Sequence, residues 1–246
     1  MSIDFAFLCD TLLQLLRALP TTLVLFAASV AVGTLLALLV VWLRVCDVAA
    51  LRHLARGYIF LFRGSPLLIQ LFLLYYGLSQ FPEVRQSPLW PVLRDPLACA
   101  VIALALCTAG YMAEIFRGGL LAVPAQQVEA GRAAGMSGGL LARRIIIPIA
   151  LRSCLPAYST EIILMMKATS LASLVTVYEI SGVAQRIISE TYRTLEVFLC
   201  AALIYLVLNF LIVRTLAWLE RWLSPRQPAA TRTTTRKYAF SVRRGN

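Results

Sequence analysis

The chain has 246 residues, of which 60% are hydrophobic and only 14% are charged, with a formal net charge of +11. Soluble domains are about 45–50% apolar and roughly 25% charged, and a soluble chain this apolar would expose patches that it could not cover. The composition therefore excludes an ordinary soluble protein and predicts an all-α, polytopic membrane protein. We expect no nucleic-acid partner, because no recognition motif accompanies the positive charge.

Five apolar runs have about the length that a helix needs to cross a bilayer, which is roughly 20 residues. The runs are Ala18–Leu43, Gly64–Pro82, Pro96–Ala113, Cys154–Tyr178 and Val197–Val213. The fourth run is less uniform than the others because it contains Glu161 and Lys167. We expect one transmembrane domain of five helices over residues 1–224, followed by a basic, disordered tail over residues 225–246.

Basic residues concentrate in alternate connections, and such connections face the cytoplasm. Those after the first and third runs are Arg44, Arg52, Arg56, Arg117, Arg132, Arg143, Arg144 and Arg152, and eight more Lys or Arg follow from Arg214 onward. In the other two connections acidic residues balance or outnumber the basic ones. The pattern predicts an N-terminus outside the membrane and a C-terminus in the cytoplasm, with the basic tail in contact with anionic membrane lipid.

The connection after the third run predicts two short helices joined by a sharp turn. Pro124 can begin the first helix, because its missing N–H is not needed in the first turn. Gly135 can adopt the left-handed conformation that ends this helix. Ser137 can cap a second helix, which would run to Pro148. The alternative is an ordinary helical connection between two spans.

This connection resembles the signature of the permeases of binding-protein-dependent ABC importers: Glu-Ala-Ala, three residues, Gly, nine residues, then Ile-x-Leu-Pro. The matching residues are Glu129, Ala130, Gly131, Gly135, Ile145 and Pro148. All spacings match, although Gly131 stands for the second Ala and Ile147 for Leu. The resemblance implies the type I ABC importer permease fold. It also implies that residues 124–148 form a coupling segment, in which the six matching residues dock on a separate ATPase.

Three further segments, Phe62–Gln70, Glu114–Gly119 and Pro156–Leu171, are similar to polar amino acid permeases, especially those for histidine, arginine, lysine and opines. The resemblance implies import of a polar, basic amino acid across a bacterial inner membrane, delivered by a periplasmic binding protein. It further implies a dimer of ATP-binding subunits, which would carry ATP and Mg, and a second permease subunit, identical or related. Another amino acid or an opine is the alternative substrate.

Glu161 is a candidate contact for the amino or guanidinium group of the substrate. An acidic residue at the centre of a span costs about 2.5–3.5 kcal/mol, so it usually faces a cavity or a partner. Lys167 lies six positions further on, which is poor spacing for an ion pair along one helix. The alternative is a structural ion pair with another basic residue. Permeases of this family often carry an acidic residue at the position of Ala168, and this chain does not.

Arg63, Thr160 and Ser170 are weaker candidates for the substrate pathway. Arg63 could instead be an anchor at the membrane interface. The two hydroxyl groups could instead satisfy carbonyl groups of their own helix.

The sequence offers no catalytic or metal site. It has no phosphate-binding loop of the form Gly, four residues, Gly-Lys-Ser/Thr, and its six cysteines and single His53 show no metal-ligand spacing. We therefore expect no cofactor on this chain and no ATP hydrolysis by it. A secondary transporter or channel is the alternative from a different class. The odd number of spans and the lack of a repeat argue against it.

Overall fold

The computed structural model describes residues 4–223, which are helical throughout apart from short connections and contain no strand. The predicted tail, residues 225–246, lies outside this described part. The first seven α-helices are α1 (Phe5–Arg17), α2 (Leu19–Val45), α3 (Ala49–Gly64), α4 (Leu67–Phe72), α5 (Pro82–Arg85), α6 (Trp90–Leu93) and α7 (Pro96–Leu121). The remaining five are α8 (Ala125–Ala133), α9 (Gly138–Leu141), α10 (Ile147–Ala168), α11 (Ile180–Thr191) and α12 (Thr194–Leu223).

Among residues 4–223, three helical segments are long and apolar enough to cross a membrane by themselves: Phe5–Val45, Pro96–Leu121 and Thr194–Leu223. Two further crossings are bent. The chain bends by 104° between helix α3 and the segment Leu67–Gln80. It bends by 47° between the segments Gly138–Val175 and Ile180–Thr191. The expected five crossings are obtained when each bent pair counts as one. The all-α membrane fold predicted from composition is therefore confirmed.

A buried amide stabilises the sharp bend between α3 and α4. Gln70 is only 7% exposed, and its Nε2 donates to the carbonyl oxygens of Phe62 (2.9 Å) and Ser65 (3.0 Å). These carbonyls lie at the end of α3, where no following helical turn can satisfy them. Pro66 follows in extended conformation and starts the new helix direction. The second crossing therefore begins with a turn of the chain rather than with a straight span.

Small residues bring α7 close to its two main neighbours. A Cβ atom added to Gly33 of α2 would lie 3.2 Å from the carbonyl oxygen of Ala105, and one added to Gly119 would lie 2.6 Å from the carbonyl oxygen of Ala150 on α10. In lipid, helices associate by such close van der Waals packing, because lipid tails are as apolar as the side chains. Helix α7 is therefore the central element of the bundle.

Glu179 is buried, although the sequence places it among the charges of an outer connection. It is fully inaccessible to solvent. Its carboxylate accepts hydrogen bonds from the backbone N–H of Gly182 (2.9 Å) and from the hydroxyl of Tyr205 on α12 (2.7 Å). The first bond caps α11, and the second joins α11 to α12. These donors replace the water that a buried carboxylate loses.

An ion cluster joins the start of α1 to the turn before α12. Arg193 contacts Asp4 at 3.1 Å and Glu196 at 2.6 Å, and its guanidinium lies 3.9 Å from the ring centroid of Phe7. The hydrogen bond to Glu196 raises the pKa of Arg193. The backbone N–H of Phe7 and the side chain of Arg193 both lower the pKa of Asp4. The cluster therefore stays ionised at neutral pH.

Replacing Gly119 tests the close approach of α7 and α10. We expect Gly119→Ala to destabilise the folded protein by about 1–3 kcal/mol, since the added methyl group would press on backbone that can move only with its helix. Thermal unfolding in detergent measures the effect. Gly118→Ala is the matched control, because a Cβ there meets no atom within 4 Å. Equal stability of the two variants would contradict the packing described here.

Candidate functional site

Helix α8 ends in the predicted left-handed turn. Gly135 has a φ of +77°, the Met136 N–H donates to the carbonyl of Gly131 (3.1 Å), and the Gly135 N–H donates to the carbonyl of Arg132 (2.9 Å). This pair of bonds is the Schellman motif, which satisfies the last carbonyl groups of a helix. Ser137 then occupies the N-cap position of α9, but its side chain makes no capping bond. The predicted capping role of Ser137 is wrong.

The six residues of the signature divide into an inner and an outer group. Gly131 is buried, and a Cβ on it would lie 2.6 Å from Leu141 Cδ1 and 2.8 Å from Ile145 Cδ1. Gly131 and Ile145 therefore hold the two arms of the turn together. The exposed members are Glu129, Ala130 and Gly135. Ile145 and Pro148 are half-buried, so the exposed surface of the signature comes mainly from this outer group.

The second arm of the turn does not end at Pro148, contrary to the prediction. A π-helical turn over Ala142–Ile146 leads directly into α10. The wider π turn accommodates a proline, which cannot donate to the preceding turn and would clash with it in a regular helix. The predicted coupling segment, residues 124–148, is therefore physically continuous with the helix that carries Glu161.

A pocket of about 450 Å³ lies between α3, the start of α4, α7 and α10, and we call it the Glu161 pocket. Its lining includes Arg63, Thr108, Tyr111, Glu161 and Ala168. The Arg63 guanidinium lies 5.2 Å from the ring centroid of Tyr111, in a cation–π arrangement. Within residues 4–223, no ion pair within 4.0 Å involves Glu161 or Arg63. The pocket therefore presents one carboxylate and one guanidinium with space between them.

The other two pathway candidates lie apart from this pocket. The Thr160 hydroxyl donates to the carbonyl of Pro156 (3.1 Å), and the Ser170 hydroxyl donates to the carbonyl of Lys167 (2.8 Å). Neither residue lines the Glu161 pocket in the described chain. Both hydroxyl groups instead satisfy backbone carbonyls of their own helical segment, which is the alternative that the sequence left open.

Sequence reasoning missed the contribution of α7 to the pocket. Thr108 and Tyr111 are three residues apart, so they share one face of the helix. Two polar residues at this spacing in a mostly apolar span are the signal that could have found them. Among the described residues, no group of three or more His, Cys, Asp or Glu could hold a metal ion.

A family model described as "binding-protein-dependent transport system inner membrane component" matches residues 29–225. The chain belongs to this family. It is accordingly a permease subunit of an ABC transporter, with apolar helices in the inner membrane, and the resemblance drawn from the signature is confirmed.

Curated relatives in the family are similar over nearly their whole length. The octopine transport system permease protein OccM of Rhizobium radiobacter is 55% identical over 92% of each chain. The nopaline transport system permease protein NocM of Agrobacterium fabrum is 44% identical over 96% of this chain and 98% of its own. The arginine ABC transporter permease protein ArtM of Escherichia coli is 41% identical over 85% of this chain and 93% of its own.

Solved structures support the fold. A crystal structure of an amino acid ABC transporter with histidines matches with a TM-score of 0.80 at 32% identity, covering 90% of this chain and all of the other. An inward-facing structure of the MetNI methionine ABC transporter matches with a TM-score of 0.69 at 19% identity, covering 86% of this chain and 97% of the other. The second likeness is one of fold alone.

Gly135 provides a test of the left-handed turn. A Cβ at this position meets no atom within 4 Å, so Gly135→Ala adds only backbone strain, about 1 kcal/mol in a left-handed residue. We expect normal membrane insertion but weaker stimulation of ATP hydrolysis by substrate in the assembled transporter. The ATPase rate with and without loaded binding protein measures this.

The matched control is Gly138→Ala, which also adds a methyl group in open space but at a position without positive φ. It should behave as wild type. Equal loss of coupling in both variants would show that the left-handed conformation of Gly135 is not what matters.

Proposed function

We propose that this permease subunit imports arginine or an arginine-derived opine. The observation that carries the proposal is the Glu161 pocket, where one carboxylate and one guanidinium line a space of about 450 Å³ between α3, α4, α7 and α10. A carboxylate suits the guanidinium of such a solute, and Arg63 suits its carboxylate, since charge-assisted hydrogen bonds are the strong ones. The octopine, nopaline and arginine systems of the relatives support the same substrate class.

Position 168 holds no acidic residue, and this narrows the class of substrate that we propose. Ala168 lines the Glu161 pocket, so Glu161 is the single acidic residue among the side chains that line it. A pocket with one carboxylate and one guanidinium suits a solute that carries both a positive and a negative charge. It suits a solute that carries only a positive charge less well. This favours arginine and its conjugates over a basic amine without a carboxylate.

The outer group of the signature is the proposed contact with the ATPase. Glu129 and Ala130 are exposed on α8 and Gly135 is exposed in the turn that follows it, while Gly131 packs against Leu141 and Ile145 on the inner side. ATP and Mg would bind to a dimer of separate ATP-binding subunits, because this chain has no phosphate-binding loop. The chain itself would then have no enzymatic activity.

Helix continuity suggests how ATP-driven motion reaches the substrate. Since α9, the π turn and α10 form one unbroken helical path, displacement of the docked turn moves α10 with it. Glu161 lies on α10, opposite Arg63 on α3 and Tyr111 on α7. A shift of α10 relative to α7 would open or close the Glu161 pocket toward one side of the membrane, which is gating by movement of a rigid element.

The remaining parts of the assembly follow from the number of spans and from the charge pattern. Five crossings are too few to enclose a solute path, so we propose pairing with a second permease, identical or related. A periplasmic binding protein would deliver the solute, and the N-terminus would lie outside with the C-terminus inside. Residues 1–224 would form the transmembrane domain.

Substitution of Glu161 tests the proposed substrate contact. In the reconstituted transporter, we expect Glu161→Gln to lower uptake of the arginine-derived solute at least about tenfold, because a hydrogen bond to a charged group is lost. Assembly with the partner subunits should be unchanged. Radiolabelled uptake and co-purification measure the two effects.

Glu190→Gln is the control for loss of a carboxylate elsewhere, since Glu190 is exposed on α11. Failure of Glu161→Gln to assemble would assign Glu161 a structural role. Unchanged uptake by the assembled variant would remove it from the pathway.

Cysteine labelling tests the orientation. In a background without the native cysteines, Glu83→Cys lies in the exposed connection between α4 and α7, and Ser137→Cys lies in the exposed coupling turn. A membrane-impermeant maleimide added to intact spheroplasts should label the first and not the second. The reverse pattern would invert the proposed topology.

A further inference from the structure

A second pocket, of about 460 Å³, adjoins the Glu161 pocket between α2, α3 and α7. Three guanidinium groups line it, those of Arg44, Arg56 and Arg63, together with Tyr111 and Glu114. We call it the arginine pocket. None of the signature residues lies in it, and transport of arginine alone does not explain why three arginines converge there.

The charges of the arginine pocket do not balance. Among the described residues that line it, the one acidic side chain is that of Glu114, which already pairs with Arg117 on the same helix at 2.6 Å. Arg44 Nε lies 3.8 Å from Glu114, and this buried nitrogen has no hydrogen-bond partner in the described chain. Arg56 forms no ion pair among residues 4–223. The pocket therefore carries an excess of positive charge and suits an anion, which guanidinium groups bind in a planar, often bidentate manner.

The two pockets are adjacent and share part of their walls. Arg63, Gly64 and Tyr111 line both of them. Along α7, Thr108 faces the Glu161 pocket, Tyr111 faces both, and Glu114 faces the arginine pocket. At 1.5 Å per residue, Thr108 and Glu114 are about 9 Å apart along the helix axis. In the proposed orientation, the arginine pocket is the next place toward the cytoplasm that a solute leaving Glu161 would reach.

We propose that the arginine pocket binds a second carboxylate of the substrate, and so favours arginine conjugates whose α-amino nitrogen carries a carboxyalkyl group over free arginine. This rests on the proposed function of the Glu161 pocket. With its guanidinium at Glu161 and its α-carboxylate at Arg63, free arginine has no group left for Arg44 and Arg56. A carboxyalkyl substituent supplies one. The phosphate of an anionic lipid would satisfy the same donors, but the walls shared with the Glu161 pocket favour the solute.

The test compares two solutes in the complete transporter, with its ATP-binding subunits, partner permease and binding protein in liposomes. Octopine is arginine with a carboxyethyl group on the α-amino nitrogen, so the pair differs in the second carboxylate. We expect Arg56→Gln to lower octopine uptake about tenfold, as for loss of a charged hydrogen bond, while arginine uptake changes less than about twofold. Arg56→Lys should restore most of the octopine uptake, since it keeps the charge.

Arg52→Gln is the matched control, because Arg52 lies one turn earlier on α3 and does not line the pocket; it should leave both uptake rates unchanged. An equal fall for octopine and arginine in Arg56→Gln, or no fall in either, would overturn the inference. An effect that appears only in liposomes with anionic lipid, with the octopine-to-arginine ratio unchanged, would assign the pocket to lipid and also overturn it. Failure of the wild type to import either solute would refute the proposed function instead. If the wild type imported arginine but not octopine, the proposed function would be supported and the second-carboxylate inference would be refuted.

Discussion

The fold depends on how closely α7 approaches α2 and α10. Ser29, Gly33 and Ala37 are spaced four residues apart on α2 and are all buried, so they form one small-residue face against α7. In lipid there is no hydrophobic gain from bringing apolar helices together, and the contact must come from tight packing. The other elements take their positions from this pair.

Both pockets depend on that packing. Helix α3 lies across α2 and α7, with Ala55 and Ile59 buried in the same cluster as Ala109 and Met112. This placement brings Arg63 beside Tyr111. On the other side, Gly119 lets α10 lie against α7, which brings Glu161 to the same space. The polar side chains are thus held on rigid helices, a condition for discrimination between similar solutes.

The features that could be predicted are those that depend on residues close together in the sequence. Long apolar runs give the crossings, and the glycine at position 135 gives the left-handed turn, because few other residues tolerate positive φ. What could not be predicted depends on distant contacts. The buried Glu179 accepts a hydrogen bond from Tyr205, which lies 26 residues away in the sequence. Pro148 does not end a helix, because the π turn over Ala142–Ile146 accommodates it and leads on into α10. The lining that the two pockets share joins α3 to α7, through Arg63, Gly64 and Tyr111, and no single stretch of sequence reveals that contact.

The division of the signature into inner and outer residues has a consequence for transporter engineering. Gly131 and Leu141 interlock within the subunit, so they must be preserved whichever ATPase is supplied. Residues 126, 127, 129 and 130 are exposed on α8 and could be exchanged without disturbing the turn. A hybrid importer that joins this permease to a foreign ATPase should therefore need redesign of one helical face, with the membrane bundle and its solute preference left intact.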